Sequence, residues 1–414
     1  MNYQIHPPAQ GTIRASLKLP ASKSISNRVL ILNALSNSPY PIWNLSDSDD
    51  TQVMQRALNS NESHVYVGAA GTAMRFLTAF LARKSGEWTL TGTERMKRRP
   101  IKLLVDALRW LGARIRYVEK EGFPPLHISG NALPGGEIEL SGEISSQYVS
   151  ALLMIAPLME KGLILHLKGR PVSLPYIRQT IRLMRLFGAT IHSSGNTLQA
   201  LPGAYSPRPF RVEPDWSAAS YWYAVAALSS QAEITLQELQ ERSLQGDAEV
   251  ARLFAGLGVE TDFHAQGATL RQTGKSYRCL LCHLMDYPDL AQTLAATCIG
   301  RDIPFRFTGL QSLRIKETDR IEALKTEARR LGFLLADAQN SILEWDGGKC
   351  PPEANPLIRT YEDHRMAMAF APLALTRPQG LGIMHPEVVT KSYPSFWDDL
   401  QTAGFALSVH PPQA

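Results

Sequence analysis

Cysteine is scarce in this chain, with four in 414 residues. That is too few, at irregular spacing, for a disulfide framework. Cys279 and Cys282 form a C-x-x-C pair, but no second pair follows at zinc-ribbon spacing. Leu280 and Leu281 between them read as a buried strand, so neither a metal nor a redox centre is expected. Long apolar runs are also missing. The longest, residues 149–159, is far short of the roughly 20 residues that a membrane helix needs. The opening Met1-Asn2-Tyr3-Gln4-Ile5-His6-Pro7-Pro8 lacks the basic-then-apolar pattern of a secretion signal. A cytoplasmic chain without a membrane partner is the expectation.

Several chemical signatures are absent as well. There is no G-x-x-x-x-G-K-[ST] loop, the turn Gly68-Ala69-Ala70-Gly71 does not match a dinucleotide fingerprint, and no G-x-S-x-G elbow occurs. No cofactor is expected. Excess charge of one sign is small: a net +5 suits an anionic small molecule as well as a nucleic acid. Neither an RNP aromatic motif nor zinc-finger spacing supports the latter.

What the chain does have is a period. Helices apolar nearly all round, hence buried, read at 26–35, 72–82, 146–158, 217–228, 290–299 and 364–375. Between them lie amphipathic helices that stop at Gly112, Gly188, Gly258, Gly332 and Gly404, each followed by a strand-like stretch. The glycine intervals are 76, 70, 74 and 72 residues. The buried starts Thr72, Ser146, Asp215, Asp289 and Asp363 recur at 74, 69, 74 and 74. Two markers thus agree on a repeat near 72 residues. From Ser26 to Thr72 is only 46 residues, so the first unit reads as trimmed, with its amphipathic helix at 50–59.

Six such units make an α/β protein, and its length suits two domains. A boundary at Glu213-Pro214-Asp215 leaves three helical starts on each side. A strand at 12–19 needs a sheet to join, which places a second crossing near Pro20 and the domains at 21–213 and at 1–20 with 214–414.

The buried-helix starts are where chemistry belongs, because a helix N-terminus offers unpaired N–H groups and the positive end of its dipole. In the first half they carry Ser24 and Ser26, then Gly71-Thr72, then Ser145-Ser146; in the second half they carry Asp215, Asp289 and Asp363. Taken singly, each acid or hydroxyl reads as an ordinary N-cap. Cations flank them: Lys23 and Arg28, Arg75, the run Arg95 to Arg99 before Pro100 (a residue suited to the first turn of a helix), Arg365, and Lys391 after a strand-like Val388-Val389-Thr390. The densest charge is Arg314-Ile315-Lys316-Glu317-Thr318-Asp319-Arg320. It feeds an amphipathic helix with Thr318 or Asp319 as N-cap, and alone it reads as a salt-bridged helix start.

Seven segments, in register from about residue 12 to 405, resemble the EPSP synthases (3-phosphoshikimate 1-carboxyvinyltransferases) of the enolpyruvyltransferase family. They are Lys23-Ser24-Ile25-Ser26-Asn27-Arg28, Ala70-Gly71-Thr72-Ala73-Met74-Arg75, Arg95-Met96-Lys97-Arg98-Arg99-Pro100-Ile101, Ser145-Ser146-Gln147, Pro288-Asp289, residues 313–321, and Asp363-His364-Arg365-Met366-Ala367-Met368. The resemblance implies two domains of three βαβαββ units each, an inside-out α/β barrel, with the active site between them. It implies transfer of the enolpyruvyl group of phosphoenolpyruvate to shikimate 3-phosphate by a monomer without metal.

Carried over by position, the resemblance gives Lys23, Ser24, Arg28, Ser145, Ser146, Gln147, Ser173, Asp289 and Lys316 to shikimate 3-phosphate. To phosphoenolpyruvate it gives Lys23, Gly71, Arg99, Gln147, Arg320, Arg365 and Lys391. Asp289 is the implied general base and Glu317 the implied acid, with Lys23 and Lys391 also catalytic. The two substrates together bring roughly five to six negative charges, which suits seven cations set against Asp289 and Glu317. The neighbouring Lys316 and Arg320 are expected to make Glu317 more acidic than its role requires. Ala69, Phe76 and Ser312 stand where the family usually has Asn, Pro and Asn.

Two rivals are weaker. The sister family acting on UDP-N-acetylglucosamine typically has Lys-Asn in place of Lys23-Ser24 and a Cys near 86–100, where this chain has none. A nucleic-acid-binding repeat protein would need a continuous basic stripe, whereas these cations fall beside separate helix starts.

Overall fold

Five four-stranded sheets and one two-stranded sheet make up the β structure of the computed structural model, which describes residues 2–8, 12–143 and 145–411. Met1 of the opening segment lies outside the described residues. Each large sheet has the same plan. In the fifth unit, strand Leu280–His283 lies parallel to Phe305–Thr308, with the buried helix Ala291–Gly300 between them in sequence. The amphipathic helix Arg320–Arg330 follows, and then the hairpin Ala336–Ala338 and Ile342–Trp345, whose second strand pairs antiparallel with Phe305–Thr308. The order of strands in this sheet is therefore first, second, fourth, third, and the other four large sheets repeat it.

The trimmed first unit keeps only its parallel pair, Ile42–Trp43 beside Phe210–Arg211. Its amphipathic helix Asp49–Asn59 runs almost directly into strand His64–Tyr66, so the missing residues are those of the hairpin. The N-terminal strands complete units far away in sequence. Thr12–Leu17 is the parallel partner of Gln231–Gln237, and Asn2–His6 sits between Leu381–Met384 and Ala406–His410. This is why the chain must cross twice, and it separates into two compact units: Met1–Pro20 with Glu213–Ala414, and Ala21–Val212.

Within each unit the three buried helices touch one another pairwise: Lys23–Leu35, Gly71–Arg83 and Ser146–Ile155 in one, Trp216–Leu228, Ala291–Gly300 and His364–Phe370 in the other. Burial follows composition. Trp216–Leu228 has eleven of its thirteen residues buried, with Trp216, Tyr221, Trp222 and Tyr223 among them. By contrast, Arg320–Arg330 buries one face through Ile321, Ala323, Leu324 and Ala328. Four of the repeat glycines, Gly112, Gly188, Gly332 and Gly404, directly follow the C-cap of an amphipathic helix as expected, whereas helix Val250–Ala255 ends at Gly256, two residues before Gly258. Gly112, Gly188, Gly258, Gly332 and Gly404 all have φ between 83° and 100°. At Gly332 the two bonds of a Schellman ending form, Gly332 N to Arg329 O and Phe333 N to Ala328 O, each 3.0 Å.

Three local expectations need correction. The helix after the basic run is Lys102–Trp110, capped by Ile101, so Pro100 precedes it; Thr93 instead caps a short helix, Glu94–Lys97, inside the run. Residues 388–390 belong to the 3-10 turn Pro386–Lys391, not to a strand. Leu280–His283 is a strand but an edge one, with Leu281 72% exposed and Cys279 exposed. No helix among the described residues is long and apolar enough to cross a membrane.

Candidate active site

In the unit containing residues 213–411, the starts of the buried helices gather acids and cations. Asp215 and Asp363 are helix caps: Asp215 Oδ1 accepts from Ala218 N at 3.1 Å and Asp363 Oδ1 from Arg365 N at 2.9 Å. Asp289 is not. It stands in the 3-10 turn Pro288–Leu290 and directs its carboxylate at cations. Arg365 Nη2 is 2.8 Å from its Oδ2, Arg320 Nη1 3.0 Å from its Oδ1, and Lys316 Nζ 3.9 Å from the same oxygen. Burial alone would push the Asp289 carboxyl up, but Arg365, Lys316 and Arg320 outweigh it and hold the group well below the usual carboxylate range. Burial likewise draws the Lys316 ammonium down, against the pull of Asp289.

Arg320 is the hub of this cluster. It is 1% exposed, and its Nε lies 2.7 Å from Asp363 Oδ2, its Nη2 2.9 Å from Glu317 Oε2 and its Nη1 on Asp289. Burial alone would draw its charge down, yet Asp363, Glu317 and Asp289 together hold its proton more firmly than usual. Glu317 also meets Lys391, with Nζ 3.8 Å from Oε1. The rest of the charged stretch is scaffold. Arg314 pairs with Asp319, Glu322 and Asp337, and Asp319 Oδ1 caps the helix by accepting from Ile321 N and Glu322 N.

The other unit assembles hydroxyls, bare helix ends and cations that have few anionic neighbours. Ser22 precedes helix Lys23–Leu35 without capping it by its side chain, and its Oγ lies 3.2 Å from Ser24 Oγ. Ala70 cannot cap helix Gly71–Arg83 at all. Ser145 caps Ser146–Ile155, accepting from Gln147 N, while Gln147 Nε2 donates to Thr72 Oγ1 at 3.2 Å and so joins two helix starts. Gly71 leaves room for the Arg99 guanidinium, since a Cβ there would lie 2.6 Å from Arg99 Nη1. Among the described residues, Arg99 has no ion-pair partner. Ser173 precedes helix Leu174–Leu186 in the left-handed region, with φ 54° and ψ 41°.

Arg28 lies one turn behind Ser24. Its Nη1 donates to Ser24 O at 2.8 Å, its Nε to Thr180 Oγ1 at 2.7 Å, and its Nη2 to Ser150 Oγ at 3.3 Å and Tyr176 O at 3.4 Å. Its guanidinium lies 5.3 Å from the centre of the Phe76 ring, at the position where the family usually has proline. All these partners are neutral, and burial pushes the group down to about 10. An enclosed cation without a carboxylate partner among the described residues is poised for an anion.

Of the residues singled out in the sequence, the structure brings Asp289, Lys316, Glu317, Arg320, Arg365 and Lys391 into one cluster, and in the other unit it sets Ser24, Gly71, Ser145 and Ser146 at helix starts with Arg99 against Gly71. The sequence reading missed five participants. Asp363 was read as a cap alone, yet it also anchors Arg320. Asp50 lies 3.9 Å from Lys23 Nζ, with the two side chains 6% and 18% exposed. Tyr221 OH accepts from Arg365 Nη1 at 3.2 Å, and Tyr176 and Thr180 enclose Arg28. The charge balance within each unit is correspondingly tighter: Lys316, Arg320, Arg365 and Lys391 share one unit with Asp289, Glu317 and Asp363, and Lys23, Arg28 and Arg99 share the other with Asp50.

Comparison with known proteins shows the family of the chain. The family model for EPSP synthase (3-phosphoshikimate 1-carboxyvinyltransferase) matches residues 8–60 and 53–400. A 3-phosphoshikimate 1-carboxyvinyltransferase of Bacteroides fragilis is 55% identical over 410 residues, covering 99% of both chains. One of Photobacterium profundum is 36% identical over 422 residues, covering 94% of this chain and 96% of its own. In fold, EPSP synthase from Acinetobacter baumannii superposes with a TM-score of 0.80 at 21% identity, covering 99% of this chain and 100% of that one. With the family model and the Bacteroides relative both matching nearly its whole length, the chain belongs to the EPSP synthase family, the 3-phosphoshikimate 1-carboxyvinyltransferases.

Proposed function

We infer that the chain transfers the enolpyruvyl group of phosphoenolpyruvate to the 5-hydroxyl of shikimate 3-phosphate, releasing phosphate. The observation that best supports this assignment of roles is that one buried guanidinium, Arg320, separates two carboxylates, with Nη1 3.0 Å from Asp289 and Nη2 2.9 Å from Glu317. A fixed spacer between a base and an acid suits an addition in which one proton leaves an oxygen while another reaches a carbon.

In this reading Asp289 takes the proton of the 5-hydroxyl as that oxygen bonds to C2 of phosphoenolpyruvate. Glu317 gives a proton to C3, turning the methylene into a methyl group and leaving a tetrahedral intermediate. Loss of a methyl proton then expels phosphate and restores the enol ether. Lys391, beside Glu317, shares this proton traffic. Ser24, Ser145, Ser146, Gln147 and Ser173 hold shikimate 3-phosphate through hydroxyl and amide groups, with Arg28 behind Ser24 and Lys316 adding charge. Lys23, Arg99, Arg320, Arg365 and Lys391 serve phosphoenolpyruvate, with the Gly71 backbone against it. Arginine suits this task because its fork matches carboxylate and phosphate oxygens. Arg320 Nη2 holds Glu317 Oε2 at 2.9 Å, so phosphoenolpyruvate oxygens that take this guanidinium replace Glu317 on it and free that carboxyl for its proton. The incoming anions offset the cations that otherwise keep Asp289 ionised.

The test is phosphate release from phosphoenolpyruvate with and without shikimate 3-phosphate, repeated for Glu317→Gln. Release should depend strictly on the shikimate compound. The variant should bind that compound with nearly unchanged affinity while turnover falls about 10²- to 10⁴-fold, the usual range for a lost general acid. Release independent of the shikimate compound would sink the assignment, and retained turnover in the variant would remove Glu317 as the acid.

A further inference from the structure

The turn that delivers Asp363, His364 and Arg365 is strained, and something holds it. Tyr361 and Glu362 are consecutive non-glycine residues in the left-handed region, with φ of 54° and 55°. They immediately precede the Asp363 cap. Within the turn Asp363 N donates to Thr360 O at 2.8 Å, and Thr360 Oγ1 is buried without a hydrogen-bond partner.

The restraint comes from helix Arg320–Arg330. Glu327 on that helix is fully buried, and no proton transfer or substrate contact proposed above uses it. Its Oε1 accepts from Tyr361 OH at 2.5 Å and its Oε2 from Arg359 N at 3.1 Å, with Arg330 Nε 3.4 Å from Oε2. Glu327 lies seven residues, two helical turns, beyond Arg320, on the same face and roughly 10 Å along the axis. The helix therefore grips the 359–365 segment twice: Arg320 on Asp363 at its first turn, and Glu327 on Tyr361 and Arg359 two turns later.

We infer that Glu327 is a positioning residue for phosphoenolpyruvate binding: by clasping Tyr361 and Arg359 it holds the strained turn that sets Asp363, and through Asp363 the orientation of Arg320 and Arg365. Two fixed points on one rigid helix define the register of the turn; with one alone, the turn relaxes out of its left-handed pair and the guanidiniums lose their alignment. This inference rests on the reading that Arg320 and Arg365 serve phosphoenolpyruvate.

Tyr361→Phe deletes one hydroxyl and keeps ring and backbone, so it tests the clasp without emptying the core. Glu327→Gln keeps an acceptor for Tyr361 but presents an amino group to Arg359 N–H or to Tyr361. Two measurements on the full-length chain decide the matter. In steady-state kinetics both variants should raise KM for phosphoenolpyruvate about tenfold, the worth of one well-made buried hydrogen bond. KM for shikimate 3-phosphate should stay within about twofold of the starting protein, and Glu327→Ala should exceed both variants. In the ligand-free protein, amide exchange at Arg359, Asp363 and Arg365 should quicken in Tyr361→Phe.

Unchanged exchange would overturn the clasp. Faster exchange with both KM values unchanged, or a fall in kcat alone in proportion to lost folded protein, would overturn positioning in favour of plain support. Absence of shikimate-dependent turnover in the parent protein would instead remove the functional reading, leaving the exchange result to judge the clasp.

Discussion

Arg320 and Asp363 form an ion pair sealed from solvent, with Nε 2.7 Å from Oδ2 and side chains 2% and 0% exposed. The same carboxylate caps helix His364–Phe370 through Arg365 N, so one side chain fixes both guanidiniums. Asp363→Ala leaves a buried cation with one partner fewer and a helix without its cap. A loss of about 3–5 kcal/mol follows from a broken buried pair, and Asp363→Asn, which can still cap, should lose less. Urea unfolding followed by tryptophan fluorescence measures both, fitted with separate transitions for the two units since each has its own core. Equal losses for Ala and Asn would show that the cap carries nothing.

Asp289 is held far toward its ionised form by Arg365, Lys316 and Arg320 in spite of burial. A base so stabilised is weak until substrate anions offset those cations. The free enzyme should therefore show no acid-side loss of kcat/KM attributable to this group across the ordinary working range, whereas kcat should fall on the acid side with a distinctly higher apparent pKa. The sign for stability is the reverse of a raised carboxyl: the contribution is present above the unfolded value near 4 and disappears as pH falls further. Coincident acid limbs for kcat and kcat/KM would show that substrate binding does not retune Asp289.

Much of this architecture is legible in the sequence because the repeat uses strong local signals. An all-apolar helix and a glycine with positive φ each leave a mark at a fixed interval, and Gly332 and Gly404 behave as their spacing requires. The six-residue charged cluster was legible through the family motifs. The partners behind it were not, and for physical reasons. Asp363 reads as a cap because capping is local, while its pairing with Arg320 joins positions 43 apart. Tyr221 reads as core because helix Trp216–Leu228 is apolar on every side, and only packing shows its hydroxyl on Arg365, where burial pushes it up to about 12 and keeps it neutral. Asp50 reads as the first residue of an amphipathic helix, and only packing brings Lys23 beside it.

Gly71 is required for space and not for backbone freedom. A methyl there would meet Arg99 Nη1 at 2.6 Å and Cζ at 3.1 Å, and since these atoms end a flexible side chain the protein should fold. Gly71→Ala should therefore displace Arg99, raising KM for phosphoenolpyruvate about 10- to 100-fold, the scale of one weakened charge-assisted contact, while KM for shikimate 3-phosphate moves little. Pairing it with Arg99→Ala in a double-mutant cycle checks the route. If the two effects simply add, the methyl acts on something other than Arg99.

Asp247 titrates in the opposite sense to Asp289. It is 3% exposed and accepts a hydrogen bond from Ser217 Oγ. Burial, then the negative charge of Asp289, push it up to about 7 against the pull of Ser217 and Arg365. Between roughly pH 4, where an unfolded Asp ionises, and pH 7 the folded protein holds a proton that the unfolded chain has released. Stability must therefore fall as pH rises through that window. Asp247→Asn keeps the shape and an acceptor for Ser217 but cannot ionise. Relative to the parent, it should gain on the order of 4 kcal/mol at pH 8 and nothing below pH 4, where both side chains are neutral. Urea midpoints of this unit at pH 4 and pH 8 decide it. A parent pH slope that survives intact in Asp247→Asn would place the retained proton on another group, and Asp247 would then be ionised against its surroundings.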